Sequence, residues 1–328
     1  MALSPLSFGS VVTSANLLNF DACAQSSNKA DFQILLHSDQ LMKSLIKISV
    51  DSDLSDDTVL WRYMSLDKFI NLIDTQALFL SPIAYFKKSD PLEGHLPKKF
   101  HAEIESHLHE MSKFGPKLPK SAPKEMLEFE REWAETSSRR LKLMREKARG
   151  RQSICCWYES KFESEAMWKL YGDNGKSIAI KTTVASLKKS IESRDNEKLA
   201  VLARMRYLDF NDADMTREEL LAKKDRVSTI LLKRKEYEHE KEVRLYHEPD
   251  IFDLSSHGLI LEDYWEKYVI KPHTINVDIG ELIHSVVVSP YVSEPYLSSV
   301  KSICEKYELS KCDVYQSKLL ESYDIELK

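Results

Sequence analysis

The feature that most restricts this chain is a succession of short apolar stretches, each followed by helix-like or turn-like sequence, running from residue 59 to residue 316 and broken once by a long charged block. Val59-Leu60-Trp61-Arg62-Tyr63 reads as a strand. Ser65 then stands at an N-cap position, and Phe69, Leu72 and Ile73 follow at helical spacing. Leu78 to Pro82 reads as a second strand stopped by proline. The pattern predicts further strands at 153–158, 177–181, 199–208, 242–246, 267–270, 285–289 and near 312–316. It predicts helices at 165–171, 184–193, 217–235 and about 293–307. Helices intervene irregularly between strands, so the expected class is α+β, with a mixed or split β-sheet core and flanking helices.

The interrupting block, about 98–151, carries 14 Lys and Arg against 9 Asp and Glu, a net of +5. Two helices are expected, about 98–113 and 123–148, joined by the breaker-rich Phe114-Gly115-Pro116-Lys117-Leu118-Pro119. This basic helical pair reads as an insertion into the β-containing domain. Its apolar positions Met126, Phe129, Trp133, Leu141 and Met144 are expected to pair with each other. Residues 1–57 read as an extension with one helix at about 38–48 and an acidic linker from Asp51 to Asp57. The α+β domain then spans 58–320, and 321–328 is a tail. Ala22-Cys23-Ala24 superficially resembles a processing site, but no basic residue precedes Lys29 and the would-be apolar centre is interrupted by Ser, Thr and Asn, so no signal peptide is expected.

Composition narrows function mainly by exclusion. Only 8 of 328 residues are Gly, and neither a G-x-G-x-x-G nor a Walker loop occurs. The formal net charge of −5 argues against a general phosphate-coating protein, while leaving room for a local basic patch. The five Cys, with Cys155 and Cys156 adjacent in an apolar run, form no C-x-x-C, so a disulfide framework or zinc site is not expected and a reducing cytoplasm fits. No metal is expected at the scattered His. No run approaches the ~20 apolar residues of a membrane span.

The most informative segment is Lys233 to Leu245. If Glu240 to Leu245 is extended, Glu240, Glu242 and Arg244 share one face and Val243 and Leu245 the other. Repulsion between the carboxylates would raise one pKa, and Arg244 would hold the other ionised. The competing reading is a solvated strand face with an exposed ion-pair ladder. In a second segment, Arg62 and Tyr63 end a strand just before the helix that Ser65 begins, an arrangement suited to phosphate or ribose oxygens. The alternative is an Arg62 paired with a structural carboxylate. In a third, Trp168 and Tyr171 lie three apart on a helix and either stack on a flat ring or pack in the core.

These segments together resemble a bacterial family designated domain of unknown function twenty-nine seventy-one. The resemblance rests on Leu60-Trp61-Arg62-Tyr63, Phe86 with Asp90-Pro91-Leu92-Glu93-Gly94, Cys156-Trp157-Tyr158, Met167-Trp168-Lys169-Leu170-Tyr171, and Tyr237 through Arg244. The stretch Ile283 to Pro290 and the closing Gln316-Ser317-Lys318-Leu319 also fit, so the likeness spans about 58–320. Lys87-Lys88-Ser89 lengthens the Asp-Pro loop, Tyr158 stands where the family usually has Ser, and Tyr237 where it has Trp.

In motif order the chain is also similar, more distantly, to ADP-ribosyltransferases. Arg62 comes first, then Tyr158 and Ser160, then Glu240 and Glu242. That resemblance implies NAD as a substrate, with Glu242 stabilising the sugar cation, Glu240 orienting an acceptor, and Arg62 holding phosphate. Tyr63, Ser65, Tyr158, Ser160, Trp168, Tyr171 and Arg244 would complete the NAD-binding set. It further implies an unknown macromolecular acceptor, and a toxin or phage-defence role from the company such families keep. Two rival classes stand beside it. One is a nucleic-acid-acting or nucleic-acid-binding effector using the basic helix 139–151, whose single acid is Glu146. The other is a non-catalytic interaction module in which Glu240 and Glu242 are ion-pair partners.

Overall fold

The computed structural model describes residues 47–113, 121–172, 175–196, 199–221, 228–247, 267, 269–309 and 311–322, with part of the side chains in the two long helices. The strands are β1 Ile48–Val50, β2 Val59–Ser65, β3 Ala77–Pro82, β4 Ser153–Glu159, β5 Ser177–Thr183, β6 Ala200–Arg204, β7 Arg206–Leu208, β8 Leu232–Arg234, β9 Glu242–His247, β10 His273–Asn276, β11 Ser285–Val288 and β12 Asp313–Gln316. The helices are α1 Leu66–Thr75, α2 Lys98–Lys113, α3 Lys124–Gly150, α4 Glu165–Tyr171, α5 Val184–Glu192, α6 Arg217–Leu221, α7 Ile279–Leu282 and α8 Tyr296–Lys306.

The main sheet runs β1-β6-β9-β4-β2-β5-β11-β12. Its outermost pairs, β1 with β6 and β11 with β12, are parallel, and the inner pairs are antiparallel. β4 is shared: its Tyr158 and Glu159 pair with β2, while Ser153 and Ile154 pair with β3, which leads on to β10. The expected mixed sheet is therefore present, and β4 splits it. A separate two-stranded parallel pair joins β7 to β8.

Strand alternation sorts side chains between two faces. Leu60, Met64, Trp157, Val243, Leu245, Ile178 and Ile180 point into the main core. There they meet Phe69, Leu72 and Ile73 of α1, Val184, Leu187 and Ile191 of α5, and Val300 and Cys304 of α8. Each large side chain so buried contributes roughly 1.5–3 kcal/mol. The other face carries an aromatic cluster of Trp61, Tyr63, Tyr158, Met167 and Trp168. It also carries Glu242 and Arg244, which pair in register with Tyr158 and Cys156.

The charged helical pair is tied to the domain. Phe100 and Ile104 of α2 are buried against Leu96, Phe210, Met215, Leu220 and Leu232, and Lys99 Nζ donates to the Met215 carbonyl at 2.9 Å. Met126 is exposed; the side chains of Phe129, Trp133, Leu141 and Met144 lie outside the described residues.

Several expected elements differ. A single helix over 217–235 does not form. α6 ends at Leu221, residues 222–227 lie outside the described residues, and the chain then passes from a 3-10 turn at Thr229–Leu231 into β8. Thr229, Ile230, Leu231 and Leu232 are buried in succession, which one face of a helix does not allow. Val269 is exposed and the strand falls later, at His273–Asn276, where it pairs with β3. The strand expected over 199–208 breaks at Met205 into β6 and β7. The helix expected at about 38–48 lies largely outside the described residues, but Ile48 belongs to β1. Residues 48–50 thus pair with β6 and Leu54 is buried, so the sheet takes in part of the segment read as an extension. No helix among the described residues is long and apolar enough to cross a membrane.

Candidate functional site

β9 places Glu242 and Arg244 two residues apart on the aromatic side of the sheet, and β8 brings Lys233 alongside. Between the two strands a 3-10 turn, Lys235–Glu240, ends at Lys241 in the left-handed region (φ 37°, ψ 52°). That reversal lets Glu240 turn inward while β9 begins at Glu242. Glu240 therefore lies outside the strand, contrary to the extended 240–245 that the alternation had suggested. It joins Glu242 through a shared cation instead: Lys233 Nζ donates to Glu240 Oε2 and, at 3.1 Å, to Glu242 Oε2.

Arg244 is the hub. Its Nε and Nη2 donate to Glu242 at 2.8 and 3.1 Å. Its Nη1 and Nη2 donate to Glu93 at 2.7 and 3.1 Å, and Nη1 also reaches the Ile230 carbonyl at 2.5 Å. All five guanidinium N–H groups are used. Glu93 comes from the Asp-Pro loop, which also supplies Asp90 to Arg234 at 2.8 Å. Tyr237 packs beneath Lys233 and Arg234, 4.9 and 5.1 Å from its ring centre, and its hydroxyl donates to the Ser89 carbonyl. Tyr171, at the end of α4, donates its hydroxyl to Glu240 Oε1 at 3.0 Å. Tyr207 accepts from the Glu242 backbone N–H at 2.8 Å.

The network is nearly dry: Arg244 is 1 % exposed and Glu242 5 %. Glu93, Glu240 and Glu242 face Lys233 and Arg244, so the named charges leave one negative in excess. Burial alone would raise the Glu242 pKa; Arg244 and Lys233 outweigh it and hold the carboxyl down at about 2. Burial opposes the charge on Arg244, but Glu242 and Glu93 keep it firmly protonated. Burial and then Glu240 push the Tyr171 hydroxyl upward, so it stays a donor. The Cys156 thiol, beside Glu242, is pushed well up by burial and by that carboxylate.

Of the residues expected at the site, Glu240, Glu242, Arg244 and Tyr171 converge. Tyr63, Tyr158 and Trp168 lie on the same side of the sheet as a packed cluster. Trp168 meets Tyr63 edge-on at 4.8 Å and donates to Glu163 at 2.9 Å, and Tyr63 accepts from the Ser164 N–H. Trp168 is 1 % exposed, so no flat ligand reaches its ring. Arg62 does not join them. Alternation along β2 turns it to the opposite face, where it contacts the Phe79 carbonyl at 3.4 Å and sits 5.9 Å from the Trp157 ring. Among the described residues it pairs with no carboxylate of the later motif. Ser65 precedes α1 without a side-chain cap bond.

Beside the network opens a cleft of about 690 Å³, lined by Ser160, Lys161, Tyr207, Glu238, Lys241 and Glu242 among others. Arg204, also on its wall, is committed to Glu159 through two bonds of 2.6 and 2.7 Å. Among the described residues no three His, Cys, Asp or Glu side chains gather as metal ligands.

Lys233 and Glu93 were missed as site residues. Reading 217–235 as one helix kept Lys233 off the strand that brings it beside Glu242. Glu93 carried no local sign beyond being an acid beside Gly94 in the Asp-Pro loop. Gly94 has φ +71°, and a Cβ there would come within 3.2–3.3 Å of Arg149 and Ile83. Gly94→Ala is expected to cost about 1–2 kcal/mol, read as a lower urea midpoint with an unchanged slope; an unaltered midpoint would show that the loop relaxes freely.

Residues 167–245 match the model of a family described as Protein of unknown function (DUF2971). This span carries Tyr171, Lys233, Glu240, Glu242 and Arg244, and it is the family to which the motifs pointed. No curated protein and no solved structure matches the chain.

Proposed function

We propose, with the resemblance to the DUF2971 proteins over 167–245 as premise, that the chain is an ADP-ribosyltransferase-like enzyme or NAD glycohydrolase whose substrate occupies the cleft beside Glu242. The observation that supports this most is a carboxylate held ionised at the wall of a cleft large enough for a nucleotide-sized ligand. As the nicotinamide–ribose bond breaks, the bonding pair leaves with nicotinamide and positive charge builds on the sugar. A fixed Glu242 carboxylate in a dry site stabilises that charge without reorganising. In this reading Glu240, to which the Tyr171 hydroxyl donates, orients water or the acceptor, which would be a macromolecule. Arg62 faces away, so the phosphate-binding role passes to Lys161 and Lys241 in the cleft.

The test is nicotinamide release from NAD by the purified chain. Lys161→Ala should raise KM roughly tenfold with kcat little changed, and Arg62→Ala should leave both constants unaltered. Absence of release at saturating NAD would end this reading.

A second reading rests on a specific observation: both oxygens of Glu242 and all donors of Arg244 are already occupied. In that case the network is the fixed centre of a non-catalytic interaction module. Substitutions at Glu242 would then lower the melting temperature with no activity to lose.

A further inference from the structure

Four basic side chains meet where the chain leaves Gly94 and enters α2, beside the last turns of α3. His95 and His101 stack with ring centres 5.6 Å apart and planes 28° apart. Arg149 Nη1 lies 3.5 Å from His95 Nδ1, and Arg145 Nη2 lies 3.5 Å from His101 Nε2. Arg145 and Arg149 are one helical turn apart on α3, so their guanidinium groups rise from one stripe. All four residues are partly exposed. Arg145 is paired with Glu105. For Arg149, the one polar side-chain contact among the described residues is His95, and no carboxylate among them lies within ion-pair distance. Glu146, on an exposed position of α3, and Asp90, bonded to Arg234, act on the group only at longer range.

A half-buried cluster of this composition is poorly balanced by itself. The one carboxylate at ion-pair distance, Glu105, serves Arg145 and lies 4.0 Å from His101 Nε2, leaving Arg149 without one among the described residues, and the imidazoles must stay neutral to accept from the guanidinium groups. Burial, and then Arg149, His101 and Arg145, hold the His95 pKa down at about 4. Burial lowers that of Arg149 as well. Planar guanidinium forks matched to a tetrahedral oxyanion would reverse the local field and turn both imidazoles into donors. Exposed Arg139 and Lys142 extend the basic surface along the same helix.

We propose that His95, His101, Arg145 and Arg149 form a binding site for a phosphate group, carried either by a free nucleotide or by a nucleic-acid strand. The inference does not rest on the NAD reading, because the site uses none of the cleft residues. The site's loop is continuous with the network, since Glu93 and His95 flank Gly94.

The experiment titrates the whole protein with inorganic pyrophosphate, a mononucleotide and a short single-stranded oligonucleotide at low salt. Calorimetry in two buffers of different ionisation heat reads proton uptake, and NMR follows the His95 imidazole. Saturable binding with proton uptake and an upward shift of the His95 titration is expected. Arg149→Gln should weaken binding roughly tenfold or more, and the rise in melting temperature that ligand gives the parent should vanish with it. If Arg149→Gln does not fold, Arg149→Lys keeps the charge but not the fork and should still lose several-fold. Comparable affinity for pyrophosphate and oligonucleotide identifies a free phosphate ligand. Much tighter oligonucleotide binding, displaced by pyrophosphate, identifies a strand. The proposal is overturned if nothing binds, if binding leaves His95 unmoved, or if the Arg149 variants bind like the parent.

Discussion

Arg244→Met is expected to remove about 3–5 kcal/mol of folding stability, because it leaves Glu242 and Glu93 as buried carboxylates without their shared cation. An exposed ion pair would contribute at most about 1 kcal/mol. The difference lies in the 1 % exposure of Arg244 and in its bonds, which link strand β9, the Asp-Pro loop and the 3-10 turn at Ile230. The loss should appear as a lower urea midpoint with the slope nearly unchanged. It should also depend on pH in a defined direction. The Glu242 pKa falls from an ordinary 4.5 to about 2 on folding. A depressed carboxylate pKa stabilises the fold fully above the unfolded value, and the contribution fades as pH falls from about 4.5 through about 2. The shift corresponds to about 3 kcal/mol. The gap between the parent and Arg244→Met should therefore narrow in acid. A gap below 1 kcal/mol at pH 7, or one that widens in acid, would show that the network does not hold the fold.

Glu242→Gln is expected to cut nicotinamide release by about a hundred- to thousandfold if the NAD reading holds. Glutamine keeps the volume and one acceptor but not the charge that a sugar cation requires. Arg244 retains Glu93, and Lys233 retains Glu240, so the fold should survive with a reduced melting temperature. On the same reading Glu240→Gln should impair transfer to an acceptor more than hydrolysis, since that reading gives Glu240 only an orienting role. A folded Glu242→Gln protein with full activity would remove the centre of the mechanism. A parent without activity, coupled with a large loss of melting temperature in the variant, favours the structural hub.

The sequence made the strands legible wherever the periodicity was uninterrupted. β2, β4, β5, β9 and β11 fall close to their expected positions because each alternates or runs apolar over several residues. The 217–235 segment misled because Leu231, Leu232 and Leu220 satisfy a helical count locally, whereas their burial is decided by contacts with α2 and with β6. At the site, Glu242 and Arg244 were readable from alternation alone. Arg62 was not, because motif order says nothing about which face of a sheet a residue occupies. That face depends on the register of β2 against β4, where Trp61, not Arg62, lies opposite Tyr158. Lys233 and Glu93 were hidden for a related reason: their partners are supplied by segments remote in the chain.

The pairing of β2 has a consequence for how the chain is made. β2 is central to the sheet, yet its neighbours on both sides, β4 and β5, are encoded only after the two long helices. At ~5–20 residues per second, the ribosome needs roughly 5–20 seconds to extend from Ser65 to Ser177. During that interval Leu60, Trp61 and Met64 have no sheet to enter. The charged helices α2 and α3 are synthesised in the same interval. A strongly charged stretch is therefore made between an apolar strand and its partners, and like-charge repulsion along it should oppose association of nascent chains until β5 closes the centre of the sheet.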